Sequence, residues 1–364
     1  MQKFLLMHTI EKRTEAFAKL GEILSGINNK AQIDTISDAQ LRDKAVALAT
    51  LINTSHQQNG WFTPEFVSNA LVSLGESLKP EKLEKWTTDY RDDFNKTCTT
   101  RTVAVIMAGN VPAVGFHDFL SVLISGHKII AKLSSDDDKL MPAIADILTE
   151  IEPGFKERIE FTDGQLKHFD AVIATGSNNS SRYFDYYFGK YPNIIRRNRN
   201  GVAVLTGNET EKELNALADD IFLYYGLGCR NVAKLFVPAG YDFIPLMDVL
   251  SARKEIADNN KYFNNYEYNK AIFMINGTEH FDTGNSLLTE SNSFASPVSV
   301  LHFSYYQNAD SLKNELLVNH DKIQCVASNS GFVRNSVPFG QTQSPELWDY
   351  ADGVDTLKFL LSID

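Results

Sequence analysis

Cys229 stands in the run Tyr225-Gly226-Leu227-Gly228-Cys229-Arg230-Asn231, just after an amphipathic helical stretch. A thiol with glycines before it and a guanidinium after it has open space and a nearby cation, the two things a nucleophilic thiolate needs. Glycines also end helices, and a lone cysteine is commonly a small buried hydrophobe, so the local pattern admits a reactive or a structural thiol. A second run with chemistry is Thr175-Gly176-Ser177-Asn178-Asn179-Ser180. It leaves a strand and opens a helix, where unpaired backbone N–H groups and the helix dipole can hold a pyrophosphate, although a Gly-Ser turn is also an ordinary helix start. The turn after the first strand, Ala108-Gly109-Asn110-Val111-Pro112, lacks the three spaced glycines of the usual dinucleotide fingerprint.

The elements that must position these residues follow from periodicity. Residues 1–98 read as helical: Ser37 with Gln40 forms a capping box before Leu41, Ala45, Leu48 and Ile52, and Thr63-Pro64-Glu65 starts another helix. From Arg101 short apolar strands alternate with stretches of helix length. Residues 102–107, 128–133, 158–161 and 171–175 read as strands, so a parallel sheet covered on both faces is expected. Residues 202–205 add a strand, residues 211–225 a helix and residues 232–237 a further strand after Cys229. A second α/β unit is therefore expected to begin near residue 206. There is no internal repeat, low-complexity tract or long linker, so close packing around a shared cleft is expected.

Composition bounds the class. With 364 residues and 43% hydrophobic content the chain can bury a sizeable core and is expected to make two domains. A net charge of -11 argues against nucleic acid or an anionic membrane surface as the main partner. Cys98, Cys229 and Cys325 are an odd set without metal-type spacing, which fits a reducing cytoplasm and speaks against disulfides or zinc. The first eight residues are too short an apolar run for a signal peptide, and no stretch reaches the roughly 18 apolar residues of a membrane span, so a cytoplasmic location is expected.

The order of segments resembles the aldehyde dehydrogenase superfamily from about residue 101 onward. Gly109-Asn110-Val111-Pro112, then Ser125-Gly126-His127-Lys128-Ile129-Ile130-Ala131-Lys132-Leu133-Ser134-Ser135, then Thr175-Gly176-Ser177, then Gly226-Leu227-Gly228-Cys229 match its ordered motifs. The ending Pro338-Phe339-Gly340-Gln341-Thr342-Gln343-Ser344-Pro345-Glu346-Leu347-Trp348-Asp349-Tyr350-Ala351-Asp352-Gly353-Val354-Asp355 is similar to that of the LuxC-type fatty acyl-CoA reductases. The resemblance implies an α/β fold with a Rossmann-like parallel-sheet cofactor domain and a second α/β catalytic domain. Its boundaries would be a helical N-terminal segment packed on the cofactor domain at 1–98, the cofactor domain at 99–205, the catalytic domain at 206–337 and a C-terminal segment at 338–364, for which oligomerisation is one open role.

The same resemblance implies a mechanism. Cys229 would attack an acyl thioester, its own N–H and the Asn110 side-chain amide would hold the oxyanion, and hydride from a nicotinamide would release the aldehyde. Lys132 would meet the adenosine ribose, with Ser134, Ser135, Gly176 and Ser177 completing the cofactor site. Ser135 stands where NAD enzymes of the superfamily often carry a ribose-binding glutamate, so NADPH is favoured, with Asp136, Asp137 and Asp138 as the opposing consideration. The water-activating glutamate of hydrolytic members is missing: no carboxylate lies between Asp185 and Glu209, which suits a thioester destined for hydride. Arg196, Arg197 and Arg199 could bind phosphate or cap a strand. The superfamily's ribose-holding glutamate is also missing from residues 292–298. His117 could donate a proton to the thiohemiacetal or be a helix-surface histidine, and Cys325 lies in an apolar strand.

The expected activity is NADPH-dependent reduction of an acyl thioester, chiefly fatty acyl-CoA, to an aldehyde, by a protein that could form a homo-oligomer. An acyl-phosphate reductase and a non-reductive acyl carrier of the same fold are the alternatives.

Overall fold

The computed structural model describes residues 9–96 and 99–363, so Cys98 lies outside the described residues. The chain divides into two compact units, Met1–Arg197 with Glu346–Asp364, and Asn198–Pro345.

The first unit opens with helices α1 (Ile10–Ser25), α2 (Ala39–Thr54), α3 (Pro64–Ser77) and α4 (Pro80–Thr88). Helix α3 starts at the expected Thr63, whose hydroxyl accepts the Phe66 N–H. Helix α2 is capped by Asp38 rather than Ser37. The Asp38 carboxylate accepts the Leu41 N–H at 3.0 Å, and its charge favours the positive end of the helix.

Strand and helix then alternate through β1 (Thr102–Ile106), α5 (Phe116–Ser125), β2 (Lys128–Lys132), α6 (Leu140–Ile151), β3 (Ile159–Thr162), β4 (Ala171–Thr175), α7 (Asn178–Phe188) and β5 (Asn193–Arg196). All pairings are parallel, in the order β3-β2-β1-β4-β5. The period of two sends Val103, Val105, Ile129 and Ala131 into one core with Phe17, Leu48, Leu71 and Trp86 of the N-terminal helices. Ala104, Val172 and Ala174 face the other way, against Phe184 and Phe188 of α7.

The second unit contains β6 (Asn200–Val204), α8 (Glu211–Phe222), β7 (Val232–Pro238), α9 (Ile244–Ala252), α10 (Asn260–Asn276), β8 (Phe281–Asp282), β9 (Leu287–Glu290), β10 (Val300–Tyr306), α11 (Ala309–Val318) and β11 (Ile323–Ala327). Its sheet runs β11-β6-β7-β10-β9-β8, parallel except for β8 against β9. Helix α12 (Thr356–Leu361) returns the chain to the first core through Leu357 and Leu360.

Three sequence readings shift. The division falls at Arg197 and Asn198 rather than near 206, because the strand expected at 202–205 pairs with β7 and β11 and so belongs to the second sheet. The expected C-terminal segment is split, with residues 338–345 in the second unit and 346–364 in the first. The helix expected over 211–225 stops at Phe222, because the next residues turn left-handed. Among the described residues, no helix is long and apolar enough to cross a membrane.

Candidate active site

The strand order of the first sheet reverses direction between β1 and β4, which opens a crevice at their carboxyl ends. Ile106 is in register with Lys132 on one side and Ala174 on the other, so the loops after β1, β2 and β4 leave from one edge. That edge carries Asn110, Lys132, Ser134, Ser135, Gly176 and Ser177. A Cβ on Gly109 would lie 2.5 Å from Ser134 Oγ, so the Asn110 turn rests on the loop after β2. Ser177 caps α7, its Oγ accepting the Ser180 N–H at 3.1 Å. Lys132 Nζ donates to the Gly164 carbonyl at 2.9 Å. Ser135 is exposed, and its carbonyl accepts from Gln58, which also donates to Asp138 Oδ1 at 2.8 Å.

The three aspartates after Ser135 take separate roles. Asp136 is exposed and Asp138 is engaged by Gln58. Asp137 is buried, and its Oδ2 accepts the N–H of Ala113 at 2.7 Å, fixing a residue that sits at a left-handed φ of 52°. Burial pushes the Asp137 carboxyl up to about 6, against the opposing pull of N–H bonds from Ala113 and Leu140. Asp137 is thus a support for the Asn110 turn that the sequence did not disclose. The edge as a whole offers hydroxyls, an ammonium and the positive end of an 11-residue helix, a set that fits the ribose and pyrophosphate of a nicotinamide dinucleotide.

The thiol is set by a different kind of local structure. After α8 the backbone turns left-handed at Tyr224, Tyr225 and Gly226, with φ of 53°, 56° and 73°. Each tyrosine held there costs about 1–2 kcal/mol, and both side chains are buried, with Tyr225 5.7 Å from the Tyr262 ring. Asn231 then ties the loop together. Its Nδ2 donates to the carbonyls of Asp220 at 3.0 Å and Leu223 at 2.8 Å, and its Oδ1 accepts the Gly228 N–H at 2.8 Å. The negative end of α8 is therefore capped by an amide and is not left open beside Cys229. Cys229 itself is exposed.

A second turn packs on this one from far along the chain. The buried Asp220 carboxylate accepts the Gly340 N–H at 2.7 Å, the Thr342 N–H at 3.0 Å and the Thr342 hydroxyl at 2.8 Å. Burial raises the Asp220 carboxyl, and those hydrogen bonds oppose the rise. The Thr342 carbonyl accepts from Arg230 Nε. Sequence reasoning passed over Asp220 and gave Asn231 no role. The available signal was a carboxylate on the buried face of α8, beside Leu217 and Ile221.

Other sequence candidates settle elsewhere. Arg196 forms a buried two-point pair with Asp118 at 2.5 and 2.7 Å and donates to Thr356 Oγ1 at 3.0 Å, so it joins β5, α5 and α12 and is not open to phosphate. Arg197 pairs with Asp185 at 3.1 Å, and Arg199 donates to the His320 carbonyl. His117 is neither a proton donor facing a cleft nor a surface residue. It packs between Trp86 and Tyr350, with Nε2 2.9 Å from the Leu347 carbonyl, and burial lowers its pKa. Residues 292–298 are a loop in which Phe294 is buried. Cys325 lies within β11 and its Sγ donates to the Arg230 carbonyl at 3.6 Å.

Known proteins agree with this architecture. A family model described as acyl-CoA reductase (LuxC) matches residues 29–243, more than half of the chain. Comparison with curated proteins finds no match. Among solved structures, aldehyde dehydrogenase 21 from Physcomitrella patens, in complex with the reaction product succinate, is similar at 10% identity with a TM-score of 0.61, covering 97% of this chain and 88% of that one. An indole-3-acetaldehyde dehydrogenase complexed with NAD+ is similar at 14% identity with a TM-score of 0.58, covering 89% and 73%. The aldehyde dehydrogenase KauB from Pseudomonas aeruginosa is similar at 13% identity with a TM-score of 0.55, covering 88% and 72%. At such identities these structures show the fold, which is that of the aldehyde dehydrogenases. The chain belongs to the LuxC acyl-CoA reductase family and is an oxidoreductase acting at the aldehyde level.

Proposed function

We propose that this family member reduces a fatty acyl-CoA thioester to the aldehyde with NADPH through an acyl-Cys229 intermediate. The observation that carries the reading is the Cys229 turn. A left-handed turn holding two buried tyrosines and capped by Asn231 keeps the thiol exposed, an arrangement that a cysteine serving only to fill a core would not need. Cys229 Sγ attacks the thioester carbonyl and the carbonyl electron pair moves onto oxygen. That oxyanion is held by the Cys229 N–H and the Asn110 side-chain amide, the kind of donor worth about 3 kcal/mol in a dry site. Its collapse breaks the bond to the coenzyme A sulfur, which leaves as thiolate and takes up a proton.

NADPH, when bound, supplies the hydride that takes the acyl-enzyme to the aldehyde. Lys132, Ser134, Ser135, Gly176 and Ser177 would hold its adenosine and pyrophosphate, with the Ser135 hydroxyl tolerating a 2′-phosphate that a carboxylate would repel. No carboxylate lies between Asp185 and Glu209 to activate water, so acyl-Cys229 should outlast a turnover when no reductant is present.

Intact-mass spectrometry after incubation with acyl-CoA species of differing chain length, without nucleotide, tests the reading. An acyl adduct is expected on Cys229 and on neither Cys98 nor Cys325, with discharge to aldehyde on adding NADPH. Near-normal aldehyde formation by Cys229→Ala would overturn it.

A further inference from the structure

The turn at 340–343 meets the nucleophile turn on both sides of Cys229. On one side the Thr342 carbonyl accepts from Arg230 Nε. On the other, Gln343 lies against Gly228: a Cβ built on Gly228 would be 3.6 Å from Gln343 Oε1 and 3.7 Å from its Nε2. Asp220 fixes this turn with three hydrogen bonds, and Gly340 fits it at a φ of 82°. Yet Gln343 Nε2, sealed from water, has no hydrogen-bond partner among the described residues. A buried amide donor left unmatched is costly, and such groups are uncommon in folded proteins.

Resting on the acyl-Cys229 reading, we propose that Gln343 is a further catalytic residue whose side-chain amide donates to the carbonyl oxygen of the substrate acyl group. The reaction brings one new acceptor to the residue after Gly228, and that acceptor is the acyl oxygen. A donor aimed at the acyl oxygen is matched most strongly once that oxygen carries the negative charge of the tetrahedral state, so it favours that state over the bound thioester, which is what accelerates a step. Asp220 holds the donor in place beforehand, so little reorganisation accompanies the reaction.

The experiment compares wild type with Gln343→Met, which keeps the length of the side chain and removes the donor without adding charge, and with Gln343→Leu as a second variant. Two rates are read on the full chain: acylation by acyl-CoA followed by intact mass, and alkylation of Cys229 by iodoacetamide. Loss of the donor is expected to slow acylation about 10-fold or more in both variants, with alkylation within about twofold of wild type. Unchanged acylation overturns the proposal. A parallel fall in alkylation also overturns it, because Gln343 would then act only by packing the turn. A wild type that acyl-CoA does not acylate fails the thioester reading itself, a result distinct from either of these.

Discussion

The carboxyl edge of the first sheet and the Cys229 turn of the second unit are built by opposite means. At the edge, Lys132, Ser134, Ser135, Gly176 and Ser177 sit where strand order and register put them, and Ser134 and Ser177 are bonded to residues two and three positions away. The thiol depends on partners over a hundred residues distant: Asp220 with Thr342, and Arg230 with Thr342. One site is a product of topology, the other of specific polar anchors. Removing an edge side chain that caps no helix, such as that of Asn110, should therefore cost chemistry alone, whereas cutting an anchor at the turn should cost chemistry and stability together.

Asn231→Ala is the harshest way to break that contrast. It leaves the Gly228 N–H and the Asp220 and Leu223 carbonyls without their partner. Acylation should fall about 10²-fold or more as the turn shifts, and denaturant unfolding should show a loss of about 2–4 kcal/mol. A variant as stable as wild type would show that the turn does not rely on this residue. Asn110→Ala is the matched change at the exposed edge. Stopped-flow kinetics should show acylation and hydride transfer both slowed about 10²-fold, with stability within about 0.5 kcal/mol. If unfolding shifts by several times that amount, the edge is no more separable than the turn.

Two smaller effects sharpen the picture of the edge. Wild type should have the higher kcat/KM with NADPH, and Ser135→Glu should reverse the order through repulsion of the 2′-phosphate. Equal use of both nucleotides by wild type would give Asp136, an exposed member of the aspartate run that Gln58 does not engage through its side chain, the deciding role. The last test is thermodynamic. The Asp137 carboxyl is raised from 3.8 to about 6, so the folded state holds its proton more tightly than the unfolded state. Its contribution is intact below pH 4 and is lost as pH rises through 6, a swing of at most about 3 kcal/mol. Asp137→Asn, which can still accept the Ala113 N–H, should therefore raise Tm at pH 8 by the equivalent of about 1–2 kcal/mol and give no gain at pH 4. An equal gain at both pH values would mean the carboxylate charge is not the cause.

What was legible in the sequence divides along the same line. The first-unit strands read within a residue or so, because unbroken apolar runs bounded by Gly, Pro and Ser are local signals. Strand β5 was passed over because Asn193-Ile194-Ile195-Arg196 is short and ends in an arginine whose charge is met by Asp118, 78 residues earlier. His117 looked like a surface or cleft residue because its neighbours Trp86, Leu347 and Tyr350 are remote in sequence. Asp220 and Gln343 were opaque for the same reason, whereas the partners of Asn231 lie 3 to 11 residues away and show only once the chain turns back at Tyr224 and Tyr225. A polar residue declares its partner only when the fold brings the partner to it, while a strand declares itself.

The bond between Asp220 and Thr342 spans 122 residues. During synthesis at about 5–20 residues per second, the Cys229 turn is translated on the order of 10 s before the segment that completes it. Until then Arg230 lacks its carbonyl partner and Asp220 lacks three of its donors. The nascent chain thus carries its thiol through the ribosome exit and early folding in an unfinished setting. Synthesis of residues 340–342 is then the event that supplies the last partners of the Cys229 turn.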